Sequence, residues 1–460
     1  MTANWLIIPI ETKVREFYGK SLLAVCAAEA GMQVVIGDQR VIAQSLHHLP
    51  RAVYVEKSVC HLKTGHFQRL RKMGFSIVAW CEEGLAYRDK TAYQFERITQ
   101  KSLSQVDAFF AWGQSQSQDV VEAVPTAAGK MHVHGNPRFD LLRSSLRTVF
   151  DQDARDLVSA YGRYILVNTN FSRYNRFEGR DDVIDVLRAR GITLNEDQKD
   201  YYRESVQHIG EVFREFVTAI PLLARAFPET TIIVRPHPSE NHDRWRTEMA
   251  GLANVQVHHE GNVIPWMMGA EAVIHNACTT GVEAFLLDRP TIAYVPVQHE
   301  IFNRLTYFPN AIGSIALNVD ELSALASRAL SRQTPFDPAK ADKKEMVAHH
   351  VANASGALAT ERIVQVLTSL QQNNKRPNSL TATGARLLSL LRFKAARARR
   401  ALRPDPVLKA YMDQKFPDLT LSELQDALRR IADARGLTSV PEVTIHPRLP
   451  SCFVIRKATQ

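Results

Sequence analysis

No apolar run in this chain approaches the ~20 residues of a membrane-spanning helix, so no stretch reads as a span. Cysteine is scarce. Cys26, Cys60, Cys81, Cys278 and Cys452 are odd in number and scattered, without disulfide or metal spacing, which argues against a disulfide scaffold and for reduced thiols. The 16 histidines form no metal set either: His132 and His134 share one strand face, but no cysteine or carboxylate spacing completes a site. Short-period repeats are absent. The start, Met1-Thr2-Ala3-Asn4, has no basic n-region or cleavage site and runs straight into a strand, so the expected location is the cytoplasm.

What is present is an ordinary soluble composition, 45% hydrophobic and 23% charged, over 460 residues. That length exceeds what one hydrophobic core usually serves, so two or more domains are expected. The net charge of +9 is unevenly placed. Between Lys375 and Lys409 lie ten basic residues against one acid, Asp405, which leaves the rest of the chain near neutral.

Apolar, β-branched runs alternate with helical patterns along most of the sequence. Strands are expected at 5–10, 33–37, 52–54, 76–80, 108–112 and 131–134, and again at 164–168, 231–234, 255–257, 272–274 and 291–294. Residues 202–227 place Val206, Ile209, Val212, Phe213, Phe216 and Ile220 close to a 3.6 period, as a long helix does. Closing helices are expected at 321–330 and 344–370. The fold class is α/β, with two Rossmann-like doubly wound domains at 1–150 and 151–370 and a basic helical tail at 371–460. In that tail Asn373, Asn374, Pro377 and Asn378 read as a linker. Residues 385–403 mix leucines with arginines, as a helix lying on an anionic membrane surface does, although a docked charged helix would look the same. Nucleic acid is not expected as a partner, because no recognisable nucleic-acid module and little aromatic interleaving accompany the charge. A last helix is expected over 418–434, capped by Thr420 or Ser422.

Two motifs at strand ends carry the chemistry of the second domain. In Arg235-Pro236-His237-Pro238-Ser239 the prolines forbid helix and hold the backbone extended, so His237 projects from a stiff loop at a strand's carboxyl end. That edge is where open α/β sheets bind ligands. Alone, the segment is as well explained as a turn with a surface histidine. One strand later comes His275-Asn276-Ala277-Cys278-Thr279-Thr280-Gly281-Val282-Glu283. Its glycine permits close backbone approach, and its helix start offers N–H groups and positive dipole to an anion. The Thr279 and Thr280 hydroxyls can add bonds to phosphate, and Glu283 can reach a ribose hydroxyl. A threonine cap with a glycine for packing would explain the pattern in isolation. Together with Arg235, His237, Ser239, Asn168 and Asn170, it reads as a nucleotide-phosphate site.

In the first domain, Glu82-Glu83-Gly84 follows the fourth strand. Two adjacent carboxylates cannot both face a ligand, so one acts and the other supports. The acting group can be a general base or a nucleophile, and the sequence leaves inversion and retention both open. Glu11, Lys13 and Arg15 follow the first strand at the same rim and suit a polar or anionic acceptor, as does Arg138 in Asn136-Pro137-Arg138. Arg173 and Arg176, in a polar insertion at 170–188, are expected to act as a mobile lid.

Arg-Pro-His-Pro at 235–238, Thr-Thr-Gly-Val-Glu-Ala at 279–284 and Arg289-Pro290 resemble the nucleotide-binding domain of GT-B glycosyltransferases. They are similar to bacterial enzymes that use CMP-activated acidic sugars (sialyl- and Kdo-transferases) and to CDP-glycerol glycerophosphotransferases. Residues 5–330 also resemble the family named "surface carbohydrate biosynthesis protein". The marks of that likeness are Pro9-Ile10-Glu11-Thr12-Lys13-Val14-Arg15-Glu16, Trp80-Cys81-Glu82-Glu83-Gly84, Trp112-Gly113, Gly135-Asn136-Pro137-Arg138 and Asn168-Thr169-Asn170-Phe171. The resemblance implies a GT-B cleft with the nucleotide-sugar donor on the second domain and a surface-polysaccharide or lipid-linked glycan acceptor on the first. In the sialyl- and Kdo-transferases the second acid of the acidic pair is catalytic, which carries to Glu83, with Glu82 beside it. This chain has Glu where those families have Asp. The implied scheme needs neither cofactor nor metal, and the basic tail would hold the enzyme at the inner face of the cell membrane. Three rivals stay open: a UDP-sugar 2-epimerase, a CDP-glycerol-type glycerophosphotransferase, and a non-catalytic glycan- or nucleotide-binding assembly factor.

Overall fold

The computed structural model describes residues 4–87, 90–177, 179, 182–189, 191–305, 307–333, 336–337, 339–372, 379–403 and 405–458. The chain divides into two compact units. One comprises Met1–Leu85, Thr91–Val149 and Ala348–Gln460, the other Ala86–Lys90 and Phe150–Val347. The strands of the first half are β1 (Trp5–Ile10), β2 (Gln33–Asp38), β3 (Val53–Glu56), β4 (Ser76–Ala79), β5 (Ala108–Ala111) and β6 (Met131–Val133). The second unit contributes β7 (Tyr164–Asn168), β8 (Thr231–Arg235), β9 (Val255–Val257), β10 (Ala272–His275), β11 (Thr291–Tyr294) and β12 (Ser314–Ala316). β13 (Glu442–Ile445) and β14 (Cys452–Arg456) come from the far end of the chain.

The first sheet runs β13-β14-β2-β1-β3-β4-β5-β6, and β1 to β6 are parallel. The second runs β12-β11-β10-β7-β8-β9 and is parallel throughout. Helices cover such sheets on both faces, so the strands read as continuous apolar runs. Leu6, Ile7 and Ile8 in β1 and Ile232, Ile233 and Val234 in β8 are accordingly buried. The helix expected at 202–227 is Glu196–Ala226. It begins earlier because Asn195 and Gln198 form a reciprocal capping box. Its buried Ile209, Phe213 and Phe216 pack with Phe171 and Trp245 against the second sheet.

Two boundaries differ from expectation, each for an identifiable reason. The single helix expected at 344–370 is two, Lys340–His350 and Ala359–Gln372. Asn353 and Gly356 between them take left-handed backbone conformations (φ 54° and 75°), which interrupt a helix. Asp140 accepts from the Ala359 and Thr360 N–H groups and the Thr360 hydroxyl, capping the second helix onto the first unit. The change of unit therefore falls at 347, not 370.

Nor is 371–460 a separate tail. β14 adds antiparallel to the free edge of β2, Phe453 opposite Ile36 and Ile455 opposite Val34, and β13 pairs onto β14. Closing an exposed sheet edge removes a row of unpaired backbone groups. The last helix is Leu421–Ala434, capped by the Thr420 hydroxyl. The basic helix is Ser379–Leu402. It docks on the first unit where Arg386 donates to the Leu49 carbonyl at 2.8 Å and Phe393 lies 5.4 Å from the His47 ring. The linker residues Asn373, Asn374, Pro377 and Asn378 lie outside the described residues, as do Lys375 and Arg376. Among the described residues no helix is long and apolar enough to cross a membrane.

Candidate functional site

In the second unit, β7 lies between β8 and β10, with β9 beyond one and β11 and β12 beyond the other. This is a topological switch point, where connections leave to opposite sides and open a crevice beyond the strand ends. The register sets Asn168, the last residue of β7, beside Arg235 on one side and His275 on the other. These three residues, the loops after them and the helix Thr279–Leu286 carry all the proposed nucleotide-binding positions.

Glu240 holds two of those loops together. It is fully buried and accepts hydrogen bonds from five groups among the described residues: at Oε1 from the Thr169 hydroxyl (2.7 Å), the Phe171 N–H (2.9 Å) and the His237 N–H (3.1 Å), and at Oε2 from Trp245 Nε1 (2.8 Å) and Asn175 Nδ2 (3.2 Å). Burial pushes its carboxyl above the usual range, against the pull of these donors. The result is a stiff base for His237. The Nδ1 of His237 accepts from the Ser239 N–H (3.1 Å), so the proton of the neutral ring sits on Nε2, a donor suited to an anion. Phe177 N–H donates to the Ser239 carbonyl, and the start of the insertion is fastened through Phe171 and Asn175. Residues 171–177 are thus anchored to the His237 loop; Arg176 Nε itself donates to the Arg173 carbonyl, so the expected mobile lid does not begin there.

The β7 and β10 loops are joined by amides. Asn276 Oδ1 accepts from the Asn170 N–H (2.8 Å), Asn276 Nδ2 donates to the Asn170 carbonyl (3.4 Å), and Asn170 Nδ2 donates to the Ala277 carbonyl (3.2 Å). Ala277 is left-handed at φ 47°, a conformation costly to an L-residue, and Asn310 fixes it by accepting its N–H (3.0 Å). Such strain persists only where surroundings enforce it, commonly at binding sites. A cavity of about 50 Å³ lies beside this turn, lined by Asn276, Ala277, Asn310, Phe171 and Phe302. The helix Thr279–Leu286 follows, and the side chain of Cys278 does not cap it. Asn168 Nδ2, Thr280 Oγ1 and both ring nitrogens of His275 are buried here with no hydrogen-bond partner among the described residues.

Three of the proposed nucleotide ligands, Arg235, His275 and Glu283, are buried. Arg235 is buried, donates to the Glu260 and Gly261 carbonyls (2.8 and 2.5 Å) and lies over Trp266; burial lowers its pKa to about 10. It braces β8 against the neighbouring loop rather than facing an anion. His275 is wholly buried, with its ring against Gly281, where any added Cβ would overlap it. The glycine makes room for a histidine, and burial lowers that ring's pKa to about 4, so it is neutral. Glu283 is likewise fully buried. Ser239 contributes backbone contacts through its N–H and carbonyl.

The first unit has its own switch point, since β1 lies between β2 and β3. A network of ion pairs occupies the carboxyl ends. Glu82 turns inward, accepting from Trp80 Nε1 (2.7 Å) with Lys20 at 4.0 Å, while Glu83 turns outward, half-exposed and held by Arg15 Nη1 at 3.3 Å. The two adjacent carboxylates thus take opposite directions. Burial works against charge on Arg15, but Glu83, Glu16 and Glu82 raise its pKa above the ordinary value. Glu16 folds back onto the Glu11 and Thr12 N–H groups (3.0 and 3.1 Å) and pairs with Lys20 (2.5 Å). Glu11 pairs with Lys57 and, at 3.2 Å, with Lys415. Burial, with Lys63 and Lys415 nearby, lowers the Lys57 ammonium to about 7.

Two of the proposed acceptor residues are placed differently from expectation. Lys13 is bound to the chain's own C-terminal segment, donating to the Asp418 carbonyl and Glu423, both at 2.7 Å. Arg138 is buried where the short helix Pro137–Asp140 meets Gly19 of the helix Lys13–Glu29. Sequence reasoning missed Glu240, Asn276, Asn310, Glu16, Lys57 and Lys415. Glu240 alone had a local signal, as an acid in an extended loop with no lysine or arginine within three positions. Among the described residues no cluster of His, Cys, Asp or Glu is arranged to hold a metal ion.

No protein-family model matches the sequence, and no curated protein matches it. Solved structures do match the fold. An S. aureus MnaA–UDP co-structure matches with TM-score 0.50 at 14% identity, over 82% of this chain and 99% of that one. The wall teichoic acid polymerase TagF matches with TM-score 0.50 at 9% identity, over 81% of this chain and 90% of that one. A UDP-GlcNAc 2-epimerase from Neisseria meningitidis, bound to UDP-GlcNAc, gives TM-score 0.47 at 12% identity, over 80% and 100%. The fold is GT-B-like, with two Rossmann-like units. At such identities likeness speaks to fold alone.

Proposed function

We propose that the chain is a nucleotide-sugar glycosyltransferase whose donor binds at the switch point of the second unit. One observation carries the reading. Around a strained turn and a helix start that the Cys278 side chain does not cap, the unit leaves Asn168 Nδ2 and Thr280 Oγ1 buried without partners among the described residues. An unpaired buried polar group costs about 1–3 kcal/mol, and a phosphate or nucleotide arriving there would satisfy both. His237 Nε2–H and the backbone N–H groups at Thr279 and Thr280 would complete a set of donors around a leaving phosphate. Protein groups alone then meet the charge that develops, so the reading asks for no metal ion. In the first unit Glu83 would take the proton of an acceptor hydroxyl, or attack the anomeric carbon itself. Arg15 beside it favours the ionised carboxylate that either role requires. A surface-polysaccharide or lipid-linked glycan is the acceptor class this reading takes.

Thermal unfolding of the protein with CMP, CDP, UDP and GDP tests the donor site, because a ligand of the folded state raises the midpoint with occupancy. One nucleotide should stabilise the parent and Glu83→Gln alike, and His237→Ala less. Failure of all four would refute the donor site. A CMP preference would select the acidic-sugar branch. A second reading, a UDP-sugar 2-epimerase, is favoured by the match to a structure holding UDP. Interconversion of two free UDP-sugars would select it, whereas free nucleotide plus a transferred sugar selects the transferase. Turnover of CDP-glycerol would point to a glycerophosphotransferase, in line with the TagF match. Full function in cells with Glu83→Gln would point to a non-catalytic assembly factor.

A further inference from the structure

We propose that the outward face of the helix Ser379–Leu402 is a docking surface for an anionic lipid membrane. The helix has two unlike faces. One is held to the first unit by Arg386, by the buried Ser389 and by Phe393 against His47. The other presents Leu387, Leu388, Leu391 and Leu402 at 58, 48, 55 and 82% exposure. At 100° per residue, Leu387, Leu391, Ala395, Ala398 and Leu402 fall on one stripe of about 22 Å, opposite the docked face. Exposed Arg392 lies on one side of that stripe, and exposed Lys394 and Arg397 on the other. The helix contains no acidic residue. Val407 and Leu408, 52 and 43% exposed, and exposed Lys409 repeat the combination in the next helix, Pro406–Lys415.

Large aliphatic side chains aligned in water are unusual on a solitary soluble surface, and their alignment calls for a partner. Charge decides which. A second copy packed through this face would bring Arg392, Lys394 and Arg397 of both chains together, and such like charges repel. A nucleic acid would meet the cations but leave the leucines without an apolar partner. An interface of anionic lipid headgroups over acyl chains satisfies both, with leucines entering the acyl boundary and cations meeting phosphates. The helix is already formed and fastened by its inner face, so binding needs no coupled folding. This inference rests on the helix alone and is independent of the reaction performed elsewhere on the chain.

The full-length protein is sedimented with vesicles of phosphatidylcholine alone and of equal parts phosphatidylcholine and phosphatidylglycerol. Binding is expected only to the anionic vesicles and should weaken with added salt. Arg392→Ala and Lys394→Ala should each weaken it about fivefold. Leu387→Ser with Leu391→Ser should weaken it on the order of a hundredfold. The thermal midpoint should not move in any of these variants, because the altered side chains are exposed. Equal binding to neutral vesicles, or serine and alanine variants that bind as the parent does, would overturn the proposal. So would a parent that ignores vesicles but dimerises with concentration through the same leucines, or one retained only by an acidic protein.

Discussion

Replacing Glu240 by Gln keeps the size of the side chain but turns one acceptor oxygen into a donor. The less damaging orientation sets the new NH2 at the Oε2 position, facing Trp245 Nε1 and Asn175 Nδ2, which now lie at 2.8 and 3.2 Å. Both bonds are lost, and donors oppose donors in a fully buried site. Hydrogen bonds to a charged group contribute roughly 1.5–3 kcal/mol each. Relief of the buried charge offsets part of that loss, leaving a net cost of about 2–4 kcal/mol. For a unit of this size, where 1 kcal/mol shifts the midpoint by about 2–4 °C, the second unit should melt on the order of 10 °C lower. Glu240→Ala, which removes all five bonds, should fall further. Calorimetry of the full chain, with tryptophan fluorescence following the buried Trp245, reads the change. Nucleotide binding should weaken alongside it, because Oε1 fixes the His237 N–H. A Gln variant that melts within about 1 °C of the parent would refute the claim that this carboxylate holds the loops.

Arg235→Met and His237→Ala should separate stability from binding. The first strips two carbonyls of their donor and should cost about 2–4 kcal/mol in urea unfolding, while the second should leave unfolding unchanged and raise the nucleotide Kd. His275 links stability to acid. Its folded pKa, lowered from 6.5 to about 4, means no cost above pH 6.5 and a growing one as pH falls towards 4. At full extent that cost is about 3 kcal/mol, and His275→Phe should flatten the acid limb of a stability–pH curve. Lys57, lowered from 10.5 to about 7, makes the opposite case: folding resists its charge below pH 7 and is relieved as pH rises from there towards 10.5. A 13C-dimethylated Lys57 followed by NMR should titrate near 7, and titration in the ordinary lysine range would contradict the burial argument.

The parallel strands of both units apart from β12 were legible because most are short apolar runs, and their alternation with helices argued for parallel pairing; β12, a three-residue Ser-Ile-Ala segment, was too short to signal itself. β13 and β14 were not, because a four- or five-residue hairpin after a charged segment carries no signal of the sheet it joins. Its partner β2 lies some four hundred residues earlier. The break at 351–358 was legible only in part: Asn353 and Gly356 are helix breakers, but the capping by Asp140 is a long-range contact. At the sites, residue type and pattern placed Asn168, Arg235 and His275 at strand ends, as the register shows, and side-chain direction was beyond them. Nothing local tells that Arg235 turns back to two carbonyls, that His275 fills the space left by Gly281, or that Glu82 faces in while Glu83 faces out. Asn276 and Asn310 escaped because an amide that braces backbone looks like any loop asparagine.

The two switch points share an architecture and differ in electrostatics, and the difference bears on the division of labour. In the first unit nearly every charge has a partner: Glu11 with Lys57 and Lys415, Glu16 with Lys20, Glu83 with Arg15. A ligand entering there must exchange with existing ion pairs, which favours a polar molecule positioned beside an ionised carboxylate. The second unit is built from amides, hydroxyls and a neutral histidine around a strained turn, and its buried Glu240 is sealed beneath five donors. Arg235 is turned away from these strand ends, towards the Glu260 and Gly261 carbonyls. An anion there would be met by dipoles, N–H groups and buried donors that have no partner among the described residues. Such donors are preorganised and already desolvated, so they gain most when negative charge grows on the bound group. That is the behaviour wanted of a site for a leaving phosphate.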